Sequence, residues 1–262
     1  MNPVLIAVIV LCAVGAVCAL LLVFASKYMS VPVDEKFPAI RGCLPGANCG
    51  ACGYPGCDGY ASALASGEET KINKCTAGGD AVGMALANVC GRAFEDVVEM
   101  KAFVKCGGDC EKTTKKADFK GAKTCAAARL LFSGGGACQY GCIGYGDCVG
   151  VCPEHAINII NGIAHINSAR CIGCGMCANT CPNGVIEVCI AIAPVNVKCS
   201  SKDKGAVVRK KCAAGCIGCG LCAKNCPSEA ITVVNNLAVI DYEKCTGCGT
   251  CKSVCPAKCI VG

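Results

Sequence analysis

The chain has 262 residues and a formal charge of +6, and 31 of its residues are Cys. Aromatic residues make up only 5% and there is no Trp, which excludes a large conventional hydrophobic core. Only two His, His155 and His165, are present, so Cys/His zinc architectures and multi-His metal sites are disfavoured.

Residues 1–27 predict a transmembrane helix. Residues 2–26 form a run of 25 residues without an ionisable side chain, which is long enough to cross ~30 Å of hydrocarbon. No basic residue precedes the run and it is longer than the apolar core of a signal peptide, so a membrane span is favoured over a secretory signal. Lys27, Lys36 and Arg41 follow it, which places the remaining chain in the cytoplasm. Thiols stay reduced there, so we expect metal ligands rather than disulfides.

Residues 28–100 are predicted to be a small domain that binds one [4Fe-4S] cluster. The four candidate ligands lie within a Gly-rich segment and just after it: Cys49, Cys52, Cys57 and Cys75. The glycines let backbone N–H groups approach cluster sulfurs. A helix is predicted over Asp58–Ser66, ending at Gly67. A zinc site with the same four thiolates is the alternative.

Residues 101–137 are predicted to link this domain to the remaining chain. The stretch Lys112–Lys123 is basic and poor in apolar residues, which favours a solvated loop over a docking surface for an acidic ferredoxin.

Residues 138–190 and 191–262 are two copies of one folding unit, offset by 74 residues. Each copy holds a hairpin pattern, residues 157–166 in the first and 231–240 in the second, with Asn-Gly or Asn-Asn at the turn. Each copy also carries two cysteine motifs. Their candidate ligands are Cys138, Cys142, Cys148, Cys152, Cys171, Cys174, Cys177 and Cys181 in the first unit, and Cys216, Cys219, Cys222, Cys226, Cys245, Cys248, Cys251 and Cys255 in the second.

Three of these four motifs have the form C-x2-C-x2-C-x3-C-P, which is the bacterial ferredoxin pattern. In that pattern three close Cys hold one cluster and the fourth holds the partner cluster. Each unit is therefore predicted to be a two-cluster ferredoxin-like module, and the chain to carry at least five [4Fe-4S] clusters. The fold class is α+β. Zinc ribbons are disfavoured because they use paired C-x-x-C motifs.

The first motif of the repeat departs from the pattern, because Tyr145 stands where the second unit has Cys219. One cluster would lose a ligand, and we predict that Cys138 replaces it. Against this, its counterpart Cys212 precedes a complete motif that has no vacancy. The alternatives are a three-iron cluster or a ligand from another segment.

Eleven cysteines remain outside these sets, Cys12 and Cys18 in the predicted span among them. A sixth cluster drawn from Cys106, Cys110 and Cys125, with or without Cys138, is one hypothesis, and whether Cys199 and Cys212 take part in a further cluster stays open. Structural thiols are favoured because no compact quartet is left.

The order of these features resembles the iron–sulfur B subunit of the Rnf electron-transport complex: an N-terminal span, the segment GANCGACGYPGCDGYA, and then ferredoxin motifs. The chain is similar to the long form of that subunit, with two ferredoxin-like units. The resemblance implies a cell-membrane complex that oxidises ferredoxin, reduces NAD+ and transports Na+ or H+. It implies subunits A, C, D, E and G and soluble ferredoxin as partners.

The residues themselves predict an electron carrier without a substrate-converting site. We find no Gly-rich dinucleotide motif and no catalytic triad, so only the whole complex is expected to be an enzyme. Thiolate-bound clusters would make the net charge negative, and no nucleic-acid partner is inferred. Two other function classes are a corrinoid or CO-metabolising assembly or other polyferredoxin, and a thiol-buffer protein. The span opposes the former, and the fixed motif spacing opposes the latter.

Overall fold

A computed structural model describes residues 3–28, 35–94, 96–131, 133–190 and 195–262, and within its first helix it describes the side chains of residues 9–24. Helix α1 is Pro3–Tyr28, and its side chains from Ile9 to Phe24 are exposed. The predicted span, residues 2–26, therefore lies partly outside the described residues. Within the described part of the chain, no helix is both long enough and apolar enough to cross a membrane.

Three short helices form the N-terminal domain: α2 (Phe37–Cys43), α3 (Gly56–Ser66) and α4 (Gly79–Cys90). Their core contains Ile40, Tyr60 and Leu86, each exposed by 1% or less. The predicted helix is confirmed, although it begins two residues earlier than expected. It ends at Gly67, whose φ of 79° is the left-handed conformation that glycine adopts without strain.

The two modules repeat one order of elements. The first contains β1 (Met100–Val104), α5 (Cys125–Leu130), α6 (Asp147–Gly150), β2 (Ile157–Ile160), β3 (Ile163–Ile166), α7 (Met176–Thr180) and β4 (Ile186–Ile190). The second contains β5 (Asn196–Val197), α8 (Gly205–Lys211), α9 (Leu221–Lys224), β6 (Ile231–Val234), β7 (Leu237–Ile240), α10 (Thr250–Ser253) and β8 (Ile260–Val261). Short helices and two-stranded antiparallel sheets give the predicted α+β content.

Both predicted hairpins are confirmed, β2 with β3 and β6 with β7. The turn residues Asn161 and Gly162 have φ values of 48° and 78°, and Asn235 and Asn236 have 50° and 63°. A two-residue hairpin turn needs positive φ at both central positions, which Asn and Gly supply most readily.

A second sheet in each module joins its first and last strands. β1 pairs with β4, and β5 pairs with β8, in both cases antiparallel. The segment 101–137, predicted to be a linker, therefore begins with a strand of the first module. Ala102 and Val104 face the core of that module and are buried, which is the alternation typical of a half-buried strand.

Candidate metal centres

The N-terminal domain brings its four predicted ligands to one cavity. Cys49, Cys52, Cys57 and Cys75 line a space of about 320 Å³, including space open to solvent. Cys57 lies in the first turn of α3, and the Asn48 side-chain oxygen accepts a hydrogen bond from its backbone N–H at 2.9 Å. The loop that carries Cys49 and Cys52 therefore lines the cavity, and the Asn48 side chain links its start to α3.

A buried carboxylate fixes the chain between α3 and Cys75. Glu69 is only 9% exposed, and its carboxylate accepts hydrogen bonds from the Tyr54 hydroxyl at 2.8 Å and from the backbone N–H groups of Thr70 and Lys71. It also pairs with Lys74. The Lys74 ammonium, with these other donors, lowers the pKa of Glu69 to about 2. This network fixes the segment that ends at Cys75.

The first module exchanges cysteines between its motifs in the way the ferredoxin pattern predicts. Cys171, Cys174 and Cys177 line one cavity of about 340 Å³ together with Cys152, the last Cys of the other motif. Backbone donors point at two of these sulfurs. The Ala102 N–H donates to Cys171 Sγ at 3.3 Å, and the Ala156 N–H donates to Cys152 Sγ at 3.3 Å.

The second cavity of this module contains a different fourth thiol from the predicted Cys138. Cys142, Cys148 and Cys181 line it, and the fourth thiol there is Cys125. Cys138 lines a different cavity, so of the two it is Cys125 that lies in the place left by Tyr145. The reason is that Cys125 begins a helix that docks beside α6, which spacing within the motif does not reveal.

Asp147 holds that helix in place. Its two carboxylate oxygens accept hydrogen bonds from the backbone N–H groups of Cys125 at 2.8 Å and Ala126 at 3.0 Å. The Thr124 hydroxyl caps the same helix by accepting from the Ala127 N–H. Tyr145 packs its ring 6.0 Å from that of Phe119, between centroids, in the loop that leads to Cys125. The residues around the missing Cys therefore bind the segment that supplies a replacement.

The second module places its own four thiols at one cavity: Cys216, Cys219, Cys222 and Cys255. Cys259 lines the same space as a fifth thiol, with its sulfur 3.6 Å from that of Cys255. A hydrogen bond with the Cys259 thiol lowers the pKa of the Cys216 thiol. The remaining predicted ligands are Cys226, Cys245 and Cys251, which pack in the core of this module, and the exposed Cys248.

Four thiols around a cavity suit a cluster with four iron corners. Within the part of the chain that the structure describes, no three Cys, His, Asp or Glu side chains converge on one point as a single metal ion requires. Burial raises the pKa of the Cys142 thiol to about 12, and those of Cys148 and Cys177 to about 11. These sulfurs therefore keep their protons until a metal displaces them.

Three protein-family models match segments that carry these cysteines. The Fe-S cluster model matches residues 44–77, the 4Fe-4S binding domain matches residues 164–187, and the 4Fe-4S dicluster domain matches residues 215–259. Ferredoxin-like 4Fe-4S domains are therefore present, and the chain binds iron–sulfur clusters.

Curated relatives extend over nearly the whole chain. The B subunit of the proton-translocating ferredoxin:NAD(+) oxidoreductase complex of Clostridium ljungdahlii is 42% identical over 92% of this chain and 85% of its own length. The Na(+)-translocating counterpart of Acetobacterium woodii is 39% identical over 100% and 79%. The chain belongs to the B-subunit family of ion-translocating ferredoxin:NAD+ oxidoreductase complexes, the Rnf complexes. The B subunit of an ion-translocating oxidoreductase complex from Methanosarcina acetivorans, 38% identical over 93% of both chains, agrees. A member of this family is an iron–sulfur electron-transfer subunit of an oxidoreductase complex.

Sequence reasoning missed the position of Cys125 in these centres. Cys125 was considered only for a sixth cluster, although Asp147 occupies the position of Leu221 in the other unit and could have signalled a new partner. Cys110, considered with it, is exposed and lies outside these cavities of the described chain.

Proposed function

We propose that this chain is the electron relay of a membrane-bound complex that takes electrons from reduced ferredoxin, passes them towards NAD+ and couples this flow to Na+ or H+ transport. The observation that carries the proposal is the set of four cavities, each lined by four or more thiols from separate segments. Soluble ferredoxin and subunits A, C, D, E and G are the proposed partners, because the chain lacks a dinucleotide motif and needs other chains for nicotinamide chemistry.

Five clusters are proposed, with Cys125 in place of Cys138. Their ligands are Cys49, Cys52, Cys57 and Cys75; Cys125, Cys142, Cys148 and Cys181; Cys152, Cys171, Cys174 and Cys177; Cys216, Cys219, Cys222 and Cys255; and Cys226, Cys245, Cys248 and Cys251. The cavities support the first four sets, and the 74-residue repeat supports the fifth.

Each bound cluster would supply one-electron redox chemistry without bond making or breaking. The residues of the chain determine how easily an electron arrives. The backbone N–H groups of Ala102 and Ala156 donate to ligand sulfurs, which stabilises the more negative reduced state. Exposure also matters: Cys219 and Cys248 are exposed, whereas Cys174 and Cys177 are buried. The exposed ligands favour the second module as the part that meets a soluble electron donor.

The proposed location is the cell membrane, with the clusters on the cytoplasmic side. The uncharged run of residues 2–26, the helical conformation of α1 and its exposed apolar side chains support an anchor. Lys27, Lys36 and Arg41 support the cytoplasmic orientation. A variant that lacks residues 1–27 should appear in the soluble fraction after alkaline washing of membranes, whereas the full chain should stay bound. Equal release of both proteins would contradict the anchor.

Membrane vesicles from cells with and without this chain test the relay. Vesicles that contain the complete complex should reduce NAD+ with reduced ferredoxin, and visible absorbance should fall as clusters are reduced. Vesicles without the chain should lose this activity and regain it when the chain is expressed again. Undiminished ferredoxin-dependent NAD+ reduction without the chain would overturn the proposal.

A further inference from the structure

The cavity between the two modules is lined by four cysteines that belong to none of the five ligand sets: Cys106, Cys138, Cys199 and Cys212. Its volume is about 520 Å³, including space open to solvent, which exceeds that of each of the four cavities above. Cys142 lines it too, but the Cys142 thiol also lines the cavity of Cys125. The space between the modules thus has a thiol quartet of its own.

The quartet consists of the same pair from each module. Cys138 and Cys212 are related by the 74-residue offset, and each stands four residues before the next motif Cys. Cys106 and Cys199 each follow Val-Lys, just after β1 and β5 end. The members of the second pair are 93 residues apart and so fall outside the 74-residue register, but the tripeptide Val-Lys-Cys marks both of them in the sequence.

Backbone hydrogen bonds between the modules fix this arrangement. The Gly107 N–H donates to the Lys198 carbonyl at 3.0 Å, and the Ser200 hydroxyl donates to the Lys105 carbonyl at 2.8 Å. These bonds cross between the segments that carry Cys106 and Cys199. On another side of the cavity, the Ala213 N–H donates to the Lys112 carbonyl at 2.8 Å, next to Cys212. The thiols therefore converge through specific backbone contacts.

Two of the sulfurs accept backbone hydrogen bonds. The Cys142 N–H donates to Cys106 Sγ at 3.4 Å, and the Ser201 N–H donates to Cys199 Sγ at 3.5 Å. Both acceptor residues are buried, at 8% and 7% exposure. Backbone N–H donors stabilise such a buried sulfur as a thiolate ligand once iron is bound.

We propose that Cys106, Cys138, Cys199 and Cys212 hold a sixth [4Fe-4S] cluster that bridges the two modules. This inference rests on the proposed function only in that the protein must bind iron–sulfur clusters. Lys198 and Lys211 also line the cavity, and the Lys211 ammonium pairs with Asp203 at 2.8 Å. Gly108 leaves room for the cluster, because a Cβ atom there would lie 2.9 Å from Cys212 Sγ.

This site lies beside a proposed cluster site of each module. The proposed ligand Cys142 of the first module donates its backbone N–H to the Cys106 sulfur, and Gly215, next to the proposed ligand Cys216 of the second module, lines the same cavity. A sixth cluster would therefore lie between a cluster site of the first module and one of the second.

Iron and acid-labile sulfide counting on the full chain, purified without oxygen, tests the proposal. Six clusters require about 24 iron atoms per chain and five require about 20. A wild-type count near 24 supports the sixth site. A count near 20, with or without one zinc ion, overturns it while leaving the proposed function intact. Absence of iron and sulfide would overturn both.

Single variants locate the site. Cys106→Ala, Cys138→Ala, Cys199→Ala and Cys212→Ala should each lose the same set of about four iron atoms and one paramagnetic resonance signal after reduction. Cys110→Ala is the matched control and should keep the wild-type count. If the four variants keep all their iron, the assignment is wrong. If a variant fails to fold, the wild-type count still decides.

Discussion

The two ferredoxin-like modules share an element order and a 74-residue repeat, but they complete one cluster site differently. The second module supplies its four thiols from within the repeat, with Cys219 in the motif loop. The first has Tyr145 at that position, and its fourth thiol, Cys125, comes from α5, ahead of residues 138–190. The hairpins and cysteine loops are thus common to both modules, whereas the source of one thiol differs.

The replacement depends on a second difference between the modules. Asp147 in the first module stands where the second has Leu221. Its carboxylate binds the amino end of α5 and so positions Cys125, while Leu221 is partly exposed at 41% and makes no such bond in the described chain. The two modules therefore differ both at the motif Cys and at the carboxylate two residues later, and the two differences act on the same site.

Exchanging the ligands between modules should have the largest effect. Cys125→Ala should lose about four iron atoms. Adding Tyr145→Cys to that variant should restore them, because the loop then has the form of the second module. Iron counting and paramagnetic resonance of reduced protein measure both steps.

The reciprocal change provides the control. The double variant Cys219→Tyr with Cys259→Val should also lose about four iron atoms, because it removes both the motif ligand and the fifth thiol of that cavity. Full iron content in Cys125→Ala alone would contradict the assignment of this ligand.

Removing the carboxylate should have an intermediate effect. Asp147→Leu copies the second module and deletes two hydrogen bonds to the start of α5, at a cost of about 2 kcal/mol of local stability. We expect the iron count to be unchanged at first and iron release to a chelator to be faster. Asp147→Asn keeps one hydrogen-bond acceptor, so its rate of iron release should lie between those of the wild type and Asp147→Leu. Equal release rates for all three proteins would show that Asp147 does not position Cys125.

Substitution of Cys259 should have the smallest effect, a change in the reduction potential of one cluster without loss of iron. Cys259 of the second module corresponds to Val185 of the first, and its thiol lies in hydrogen-bond contact with the sulfur of the proposed ligand Cys255 at 3.6 Å. Cys259→Val should keep the iron count but lower the reduction potential of one cluster, because the reduced state loses a donor to sulfur. A potentiometric titration followed by paramagnetic resonance checks this. Loss of iron would instead identify Cys259 as a ligand.

The structure confirms the sequence predictions that depend on neighbouring residues alone. The Asn-Gly pair predicted the turn of the first hairpin, and Gly67 predicted the end of α3. The ligand from Cys125 was not predictable from spacing, since it depends on a tertiary bond from Asp147. The strand β1 was missed because its partner, β4, lies more than 80 residues away.

The central claim is that the thiols surround iron and inorganic sulfide. The most direct measurement is the ratio of acid-labile sulfide to iron, together with the zinc content, in protein purified without oxygen. The account predicts about one sulfide per iron, at least about 20 of each per chain, and no stoichiometric zinc. Zinc in place of iron, or iron without sulfide, would contradict it.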